Sequence, residues 1–379
     1  MLNRRILRAK VMQGLYAFYK SQEANYNLAL DYIIEKFAPD LNSMEPVDRQ
    51  LLNNKKQSSL KIFQQNYRHN SFDKLNNIND EEEKTAFEAY RNYNYQNQRD
   101  FEHFRSSLLK DTEKIYDRYL WLLGIMGEFA HFESIDPKVN KKDSGLRNNQ
   151  LVCLLQNDMI FQKKLSHQKQ IDDKDILYGW YKTILKNDEG YQEYLSYQNT
   201  GFEKDQKICI HIYKNLLFKN EQFDAYMESS DISWSEDKHI LKSMLVKTFK
   251  NFEKENTVIN LVLLSNNWED DREFFSKLFE ITVNNDKEYE KFIAEKSKNW
   301  DIDRIAILDK IILKMALCEM IHFPSIPIKV TINEYIELSK NFSTPKSKKF
   351  VNGILDVLSD ELKEQGLIKK SGRGLIDNK

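Results

Sequence analysis

The chain has 379 residues and a formal charge of −1. At about 150 residues per domain that length suggests two domains, and the balanced charge marks neither a bulk nucleic-acid binder nor an acidic tail. Apolar residues make up 41% and aromatics 12%, which argues against global disorder. Glycine (11) and proline (6) are scarce, against norms of about 7% and about 5% of residues. Such a chain has little material for tight turns. The composition therefore argues against sandwiches, barrels and dinucleotide-binding folds and predicts an all-α protein of long helices.

The first segment, 4–20, is amphipathic, with Leu7, Val11, Gly14, Leu15 and Phe18 on one helical stripe. Residues 1–22 hold five cations (Arg4, Arg5, Arg8, Lys10 and Lys20) and no anion, an excess hidden by the neutral total. The helical pattern continues over 25–38, and Pro39 and Pro46 then punctuate the chain. Residues from 50 to 115 are rich in Asn, Gln, Tyr and charge and are predicted to be exposed helices or partly ordered segments. A buried helix is predicted over 115–132 and a loop over 137–148, carrying Pro137, Asp143, Ser144 and Gly145. Helical patterns resume at 150–165, 175–186 and 207–229.

The last third is clearer. Trp234–Phe252 is helical, and Trp268-Glu-Asp-Asp271 opens the next helix. A further helix follows Asp301 and is apolar nearly all round (Ile305, Leu308, Ile312, Met315, Ala316), so it is predicted to be the central buried one. Thr331-Ile-Asn-Glu334 has capping-box spacing. Thr344 as cap and Pro345 at the first position open the last helix, and Gly366 closes it.

Enzyme signatures are absent from the pattern. Cys153, Cys209 and Cys318 lie far apart with no Cys-x-x-Cys pair, so no disulfide framework or zinc module is expected. The seven histidines form no metal-ligand pair, and no glycine-rich turn follows a strand. No cofactor, metal or catalytic residue is expected. The basic opening lacks the apolar stretch of a signal peptide, and the longest apolar run, Tyr119–Gly127, falls far short of the roughly 20 residues a membrane helix needs. A cytoplasmic protein without membrane contact is expected.

Two features suit RNA. With the 7/11/14/15/18 stripe inward, Arg5 and Tyr16 point nearly outward, and Arg8 and Met12 lie on the flank. Guanidinium groups beside an exposed aromatic can hold phosphate and stack on unpaired bases; a plain solvated basic face is the competing reading. Lys346, Lys348 and Lys349 crowd the first turn of the last helix, where the macrodipole disfavours cations by roughly 0.3–1 kcal/mol each. Together with the helix end they make a candidate anion site, unless the lysines simply swing into solvent. Lys369, Lys370 and Arg373 either extend that footprint or lie in a disordered tail.

These segments resemble the NusB family of bacterial transcription antitermination factors. Arg4-Arg5-Ile-Leu-Arg8-Ala-Lys10 followed by Gln13-Gly-Leu-Tyr16 resembles the family's Arg-rich opening and Gln-Ala-Leu-Tyr pattern, with Gly14 in place of alanine. Asp309-Lys-Ile-Ile-Leu-Lys314-Met-Ala-Leu-Cys-Glu319 resembles its central helix, with Lys314 where arginine is usual. Pro327-Ile-Lys-Val330-Thr-Ile332-Asn-Glu334 and Lys349-Phe350-Val-Asn352-Gly353-Ile-Leu-Asp356 match two further ordered segments. The likeness covers about 1–20 and 265–365, extending back toward 235. The domain division it suggests is 1–22, the first helix of the core; 23–230, a helical insertion; and 231–379, the rest of the core with a basic tail.

The resemblance implies a helical bundle of two packed helical halves, here with a large helical insertion after the first helix. It implies a non-enzymatic factor that binds boxA, a single-stranded RNA element, together with NusE, a ribosomal small-subunit protein. It acts on the RNA polymerase elongation complex indirectly and suppresses premature termination in ribosomal RNA operons. Carried over by position, the RNA-binding candidates are Arg4, Arg5, Arg8, Lys10, Tyr16, Lys349 and Phe350, joined by Lys346 and Lys348 from the helix-end reading, and the protein-partner candidates are Asp309 and Tyr16. Two alternatives stand beside this reading: a helical protein-interaction scaffold without RNA binding, and an RNA-methyltransferase-like targeting protein.

Overall fold

A computed structural model describes residues 2–39, 48–67, 80–137, 145–166, 174–197, 199–255, 259–296 and 305–378. The expectations at Pro46, Asp143, Ser144 and Asp301 lie outside them. Every regular element among the described residues is helical. The chain folds as two compact units: residues 5–109 with 272–379, and residues 1–4 with 110–271. This division cuts across the sequence boundaries at 22/23 and 230/231, because residues 23–109 share a unit with the C-terminal helices.

In the first unit, α1 (Arg4–Lys36) runs unbroken for 33 residues. Helix α2 (Arg49–Asn66) is capped by Asp48, whose carboxylate accepts from the amides of Gln50 and Leu51, both at 3.0 Å. Helix α3 (Glu81–Ile135) begins in this unit and ends in the other. The three helices share an apolar cluster of Ala29, Ile33, Phe37, Phe63, Ala86, Ala89 and Tyr90. Helices α1 and α3 are antiparallel. Asn25 reaches Asn97 and Asp100 at 3.0 and 2.7 Å, and the Phe18 ring meets those of Phe101 and Phe104. A Cβ on Gly14 would lie 2.3 Å from the Leu108 side chain. The glycine that departs from the family pattern is where α3 seats on α1.

The C-terminal helices of this unit are α11 (Trp268–Asn284, mostly here), α12 (Asp286–Lys296), α13 (Ile307–His322), α14 (Ile328–Phe342) and α15 (Ser347–Glu364). Helix α13 is buried on every face between 311 and 320, as its all-apolar pattern predicts, and Cys318 lies within it. Gly366 takes φ +69° just past α15, the left-handed stop that glycine adopts without cost.

Two local expectations need correction. Thr331 is not a cap: α14 starts three residues earlier, after Pro327, so the threonine lies inside the helix and turns to the core. Thr344 and Pro345 form a turn ahead of α15 rather than its first residues; Ser347 N donates to Thr344 O at 3.0 Å.

The second unit holds the rest of α3 and α4 (Gln150–Asn157), α5 (Met159–Ser166), α6 (Lys174–Trp180), α7 (Glu189–Ser196), α8 (Phe202–His211), α9 (Glu221–Ser230) and α10 (Trp234–Lys250). Asn149, Asp188 and Asn220 cap α4, α7 and α9. Helices α6 and α8 each pass into a π-helical turn, Tyr181–Leu185 and Ile212–Leu216. Tyrosine hydroxyls tie the interior together: Tyr119 shares a hydrogen bond with Thr248 and accepts from Val262 N, and Tyr213 donates to Leu122 O at 2.6 Å.

Candidate nucleic-acid interface

Arg5 and Tyr16 stand 11 residues apart on α1, about 20° apart around it at 100° per residue, and both are exposed, Tyr16 at 38%. They lie where the stripe predicts. The Arg5 guanidinium makes a forked pair with Glu334 of α14, at 2.9 and 2.7 Å. That pair raises Arg5 and holds the Glu334 carboxyl below its ordinary value.

Arg8 and Lys10 correct the sequence reading, because both are buried. Arg8 is 3% exposed and Glu319 of α13 is 0% exposed. The guanidinium donates Nε to Oε2 at 2.7 Å and Nη2 to Oε1 at 2.8 Å. Thr331 Oγ1 adds a donor to Oε1 at 2.8 Å, and Tyr335 Oη one to Oε2 at 3.3 Å. Burial alone would lower the Arg8 guanidinium; Glu319 outweighs it and raises it above its ordinary value. The cause is a carboxylate in the most buried helix. It needs a cation, and Arg8 supplies it from 311 residues away. Met12, placed on the flank by the stripe, is also buried. Arg4 belongs to the other unit, where it pairs with Asp271 at 3.3 Å.

Asp309 opens α13 and is also buried, 5% exposed. Its Oδ2 accepts from Ser347 Oγ at 2.7 Å, and that hydroxyl contacts Thr344 Oγ1 and Ser343 Oγ at 2.8 and 2.9 Å. The carboxylate therefore anchors the first turn of α15 from beneath. It is not a surface group, and the start of α15 already has an acceptor of its own.

Lys346, Lys348 and Lys349 are exposed on that turn, with no ion pair among the described residues, and Phe350 is half-buried. Glu337 of α14 connects Lys348 to α1. Its carboxyl is held below the ordinary value by Lys340 first, and then by Arg5 and Lys348 together. The tail is ordered: Lys370 Nζ donates to Phe323 O at 3.0 Å, at the end of α13, and Ser371 N to Pro324 O at 3.0 Å.

A second charged group in the core was missed. Lys314 is 6% exposed and donates to Asp286 Oδ1 at 2.6 Å, which also accepts from Tyr19 Oη at 2.5 Å. A lysine inside the otherwise apolar run from Ile311 to Cys318 was the available signal. Phe18, Tyr19, Gln22 and residues 283–288 with Lys291 line a cavity of about 680 Å³ beside it. Among the described residues no His, Cys, Asp and Glu side chains group to hold a metal, and no helix is long and apolar enough to cross a membrane.

The helices from α10 to α15 are those that comparison with known proteins picks out. The NusB family model matches residues 238–360. Proteins named transcription antitermination protein NusB are 43% identical over 106 residues in Chloroherpeton thalassium, 42% over 105 in Salinibacter ruber and 40% over 94 in Bacillus mycoides. These alignments span 28%, 28% and 25% of this chain, and 50%, 66% and 72% of the relatives. A solved NusB structure from T. maritima is similar at 25% identity over 41% of this chain and 90% of that one, with a TM-score of 0.22. The chain belongs to the NusB family. It covers half the length of the Chloroherpeton relative.

Proposed function

We propose that this protein is a non-enzymatic transcription antitermination factor of the cytoplasm. In this reading it binds boxA-type single-stranded RNA together with NusE and suppresses premature termination in ribosomal RNA operons, reaching the RNA polymerase elongation complex through that assembly. Family membership supports the class of activity. The observation that carries the RNA reading is that Arg5 and Lys348, from opposite ends of the sequence, both act on Glu337. One side of one unit thus holds Arg5, Tyr16, Lys346, Lys348 and Lys349, with Phe350 at its edge. Cations there can neutralise phosphates, and Tyr16 offers a ring for an unpaired base. Arg8 and Lys10 support this surface from within, Asp309 positions α15, and Tyr16 remains the candidate contact for NusE.

The test is a titration of boxA-type RNA by fluorescence anisotropy, with and without NusE, across a salt series. Replacing Arg5, Lys348 and Lys349 together by alanine is expected to reduce the salt slope by about 2, at roughly 0.7 per phosphate on a single strand. An unchanged slope and affinity would remove this surface as the RNA site.

A further inference from the structure

The unit of residues 110–271 carries a lysine cluster of which Lys214 and Lys219 lie outside the residues the family model matches. Two ring contacts align the segment after α8 with α10, in opposite directions. Tyr213 meets Phe249 at 5.7 Å, and Phe218 meets Trp234 at 5.5 Å. Lys214 and Lys219 are therefore brought alongside the turns of α10 that hold Lys238 and Lys242, themselves one helical turn apart.

Of the four, Lys238 is neutralised by Asp224 at 2.6 Å. Lys214, Lys219 and Lys242 have no carboxylate within 4 Å among the described residues. Their mutual repulsion is visible at Lys242: partial burial and then Lys219, Lys214 and Lys238 push its ammonium below the ordinary value. Like charges gathered without counter-ions work against folding, so the fold alone gives no reason to collect them. Lys214 sits in the π-helical turn Ile212–Leu216, a local irregularity frequent at functional sites.

The chemistry of the cluster selects the partner. Protein–protein interfaces are depleted in lysine and enriched in arginine and aromatics. Ammonium groups without arginine forks act as point charges, which suits phosphates met in any orientation. We propose that Lys214, Lys219 and Lys242, with Lys238 at the edge, form a phosphate-binding patch for the backbone of a single-stranded RNA, separate from the surface built by α1 and α15. It reads no sequence and takes phosphates by charge alone.

The experiment uses the full chain and a 30-nucleotide poly(U) strand, titrated by anisotropy over a salt series. Lys214→Ala, Lys219→Ala and Lys242→Ala are combined, once in the parent and once in a background lacking Lys346, Lys348 and Lys349. The expected result in both is a roughly 10- to 100-fold weaker binding at low salt and a salt slope smaller by about 2. The charge-preserving Lys→Arg triple variant should keep the parent slope, which separates lost charge from lost folding. Failure of the α1/α15 surface as an RNA site would leave this result standing, because the patch is also tested with the α15 lysines removed. Unchanged poly(U) affinity and slope would overturn the proposal. So would a patch at which poly(glutamate) binds and is lost on mutation while poly(U) is unaffected, since that marks an acidic protein partner.

Discussion

The two compact units bury their polar groups by different means. In residues 5–109 with 272–378, buried charge meets charge: Arg8 with Glu319, and Lys314 with Asp286. In residues 110–271, buried carboxylates meet phenols: Glu133 accepts from Tyr191, and Asp205 accepts from Tyr194 at 2.8 Å. That unit's ion pairs of Arg118 with Asp231 and Asp237 leave the arginine partly open to solvent. An arginine–carboxylate pair stays ionised on both sides through the neutral range. A phenol lends only a hydrogen bond, and at Glu133 burial still outweighs it, even with Arg147 at 3.9 Å. The first design ties distant helices together at high cost of disruption; the second makes stability depend on pH.

The largest effect is expected where charge meets charge. Arg8→Met leaves the Glu319 carboxyl in the core with two hydroxyl donors and no cation. Losing one partner of a buried pair costs about 3–5 kcal/mol. Adding Glu319→Gln removes the stranded charge, while the amide oxygen still accepts from Thr331, so the double variant should recover more than half of that loss. Urea unfolding followed by circular dichroism gives both values. Recovery of less than a quarter would show that the packing of Arg8 against Phe274 and Tyr335, at 5.3 and 5.9 Å, matters more than its charge.

That pair also shows where the sequence stops being readable. Helices α10, α11 and α15 announce themselves because one stripe of each faces a core, and α13 because it is apolar nearly all round; Gly366 and the acidic opening at Trp268 add punctuation. Arg8 could not be placed by the same logic. Helical periodicity assigns a side by hydrophobicity, and a cation within reach of a buried carboxylate breaks the rule. Thr331 misled for a related reason: its spacing to Glu334 fits a capping box, yet Glu319 and Arg5 claim those two side chains. The 55 residues of α3 showed only fragments of pattern, since its first half buries one face on α1 and α2 and its second half belongs to another unit. Of the candidate surface, Arg5, Tyr16 and the three lysines were legible as exposed cations and an aromatic. Glu337, which Arg5 and Lys348 both act on, was not, because it lies on a third helix.

A middle-sized effect separates the units by acid. Burial holds the Glu133 carboxyl above its ordinary 4.5, against the opposing hydrogen bonds from Tyr191 and the amides of Leu146 and Arg147. The folded state therefore takes up a proton before the unfolded state does. Stability of residues 110–271 should rise as pH falls from neutral through the folded value, levelling off near 4.5. Glu334 has the opposite sign: Arg5 holds it low, so its contribution is present above the ordinary value and is lost as pH falls through the folded one. Four of the five tryptophans (Trp121, Trp180, Trp234 and Trp268) lie in residues 110–271, so their fluorescence mainly follows that unit. Glu133→Gln should flatten the acid-side gain in urea titrations read by fluorescence. A gain that persists in this variant would assign the pH response to another group.

The smallest effect concerns the surface of the charge-paired unit, where stability and binding are expected to oppose each other. Lys349 is the third residue of α15, exposed, in the turn where the amide dipoles are positive. A glutamate there should gain roughly 0.3–1 kcal/mol from the helix end. The same substitution replaces one cation of the RNA surface by an anion, so boxA-type binding should weaken and its salt slope fall by at least about 0.7. Lys349→Gln divides the two contributions, removing the cation without adding the anion. If Lys349→Glu stabilises the fold and leaves RNA affinity untouched, the lysines of α15 are merely solvated, and the binding surface contracts to α1. If it weakens RNA binding without stabilising the helix, Asp309 beneath Ser347 already saturates the positive end, and the lysine costs the fold nothing.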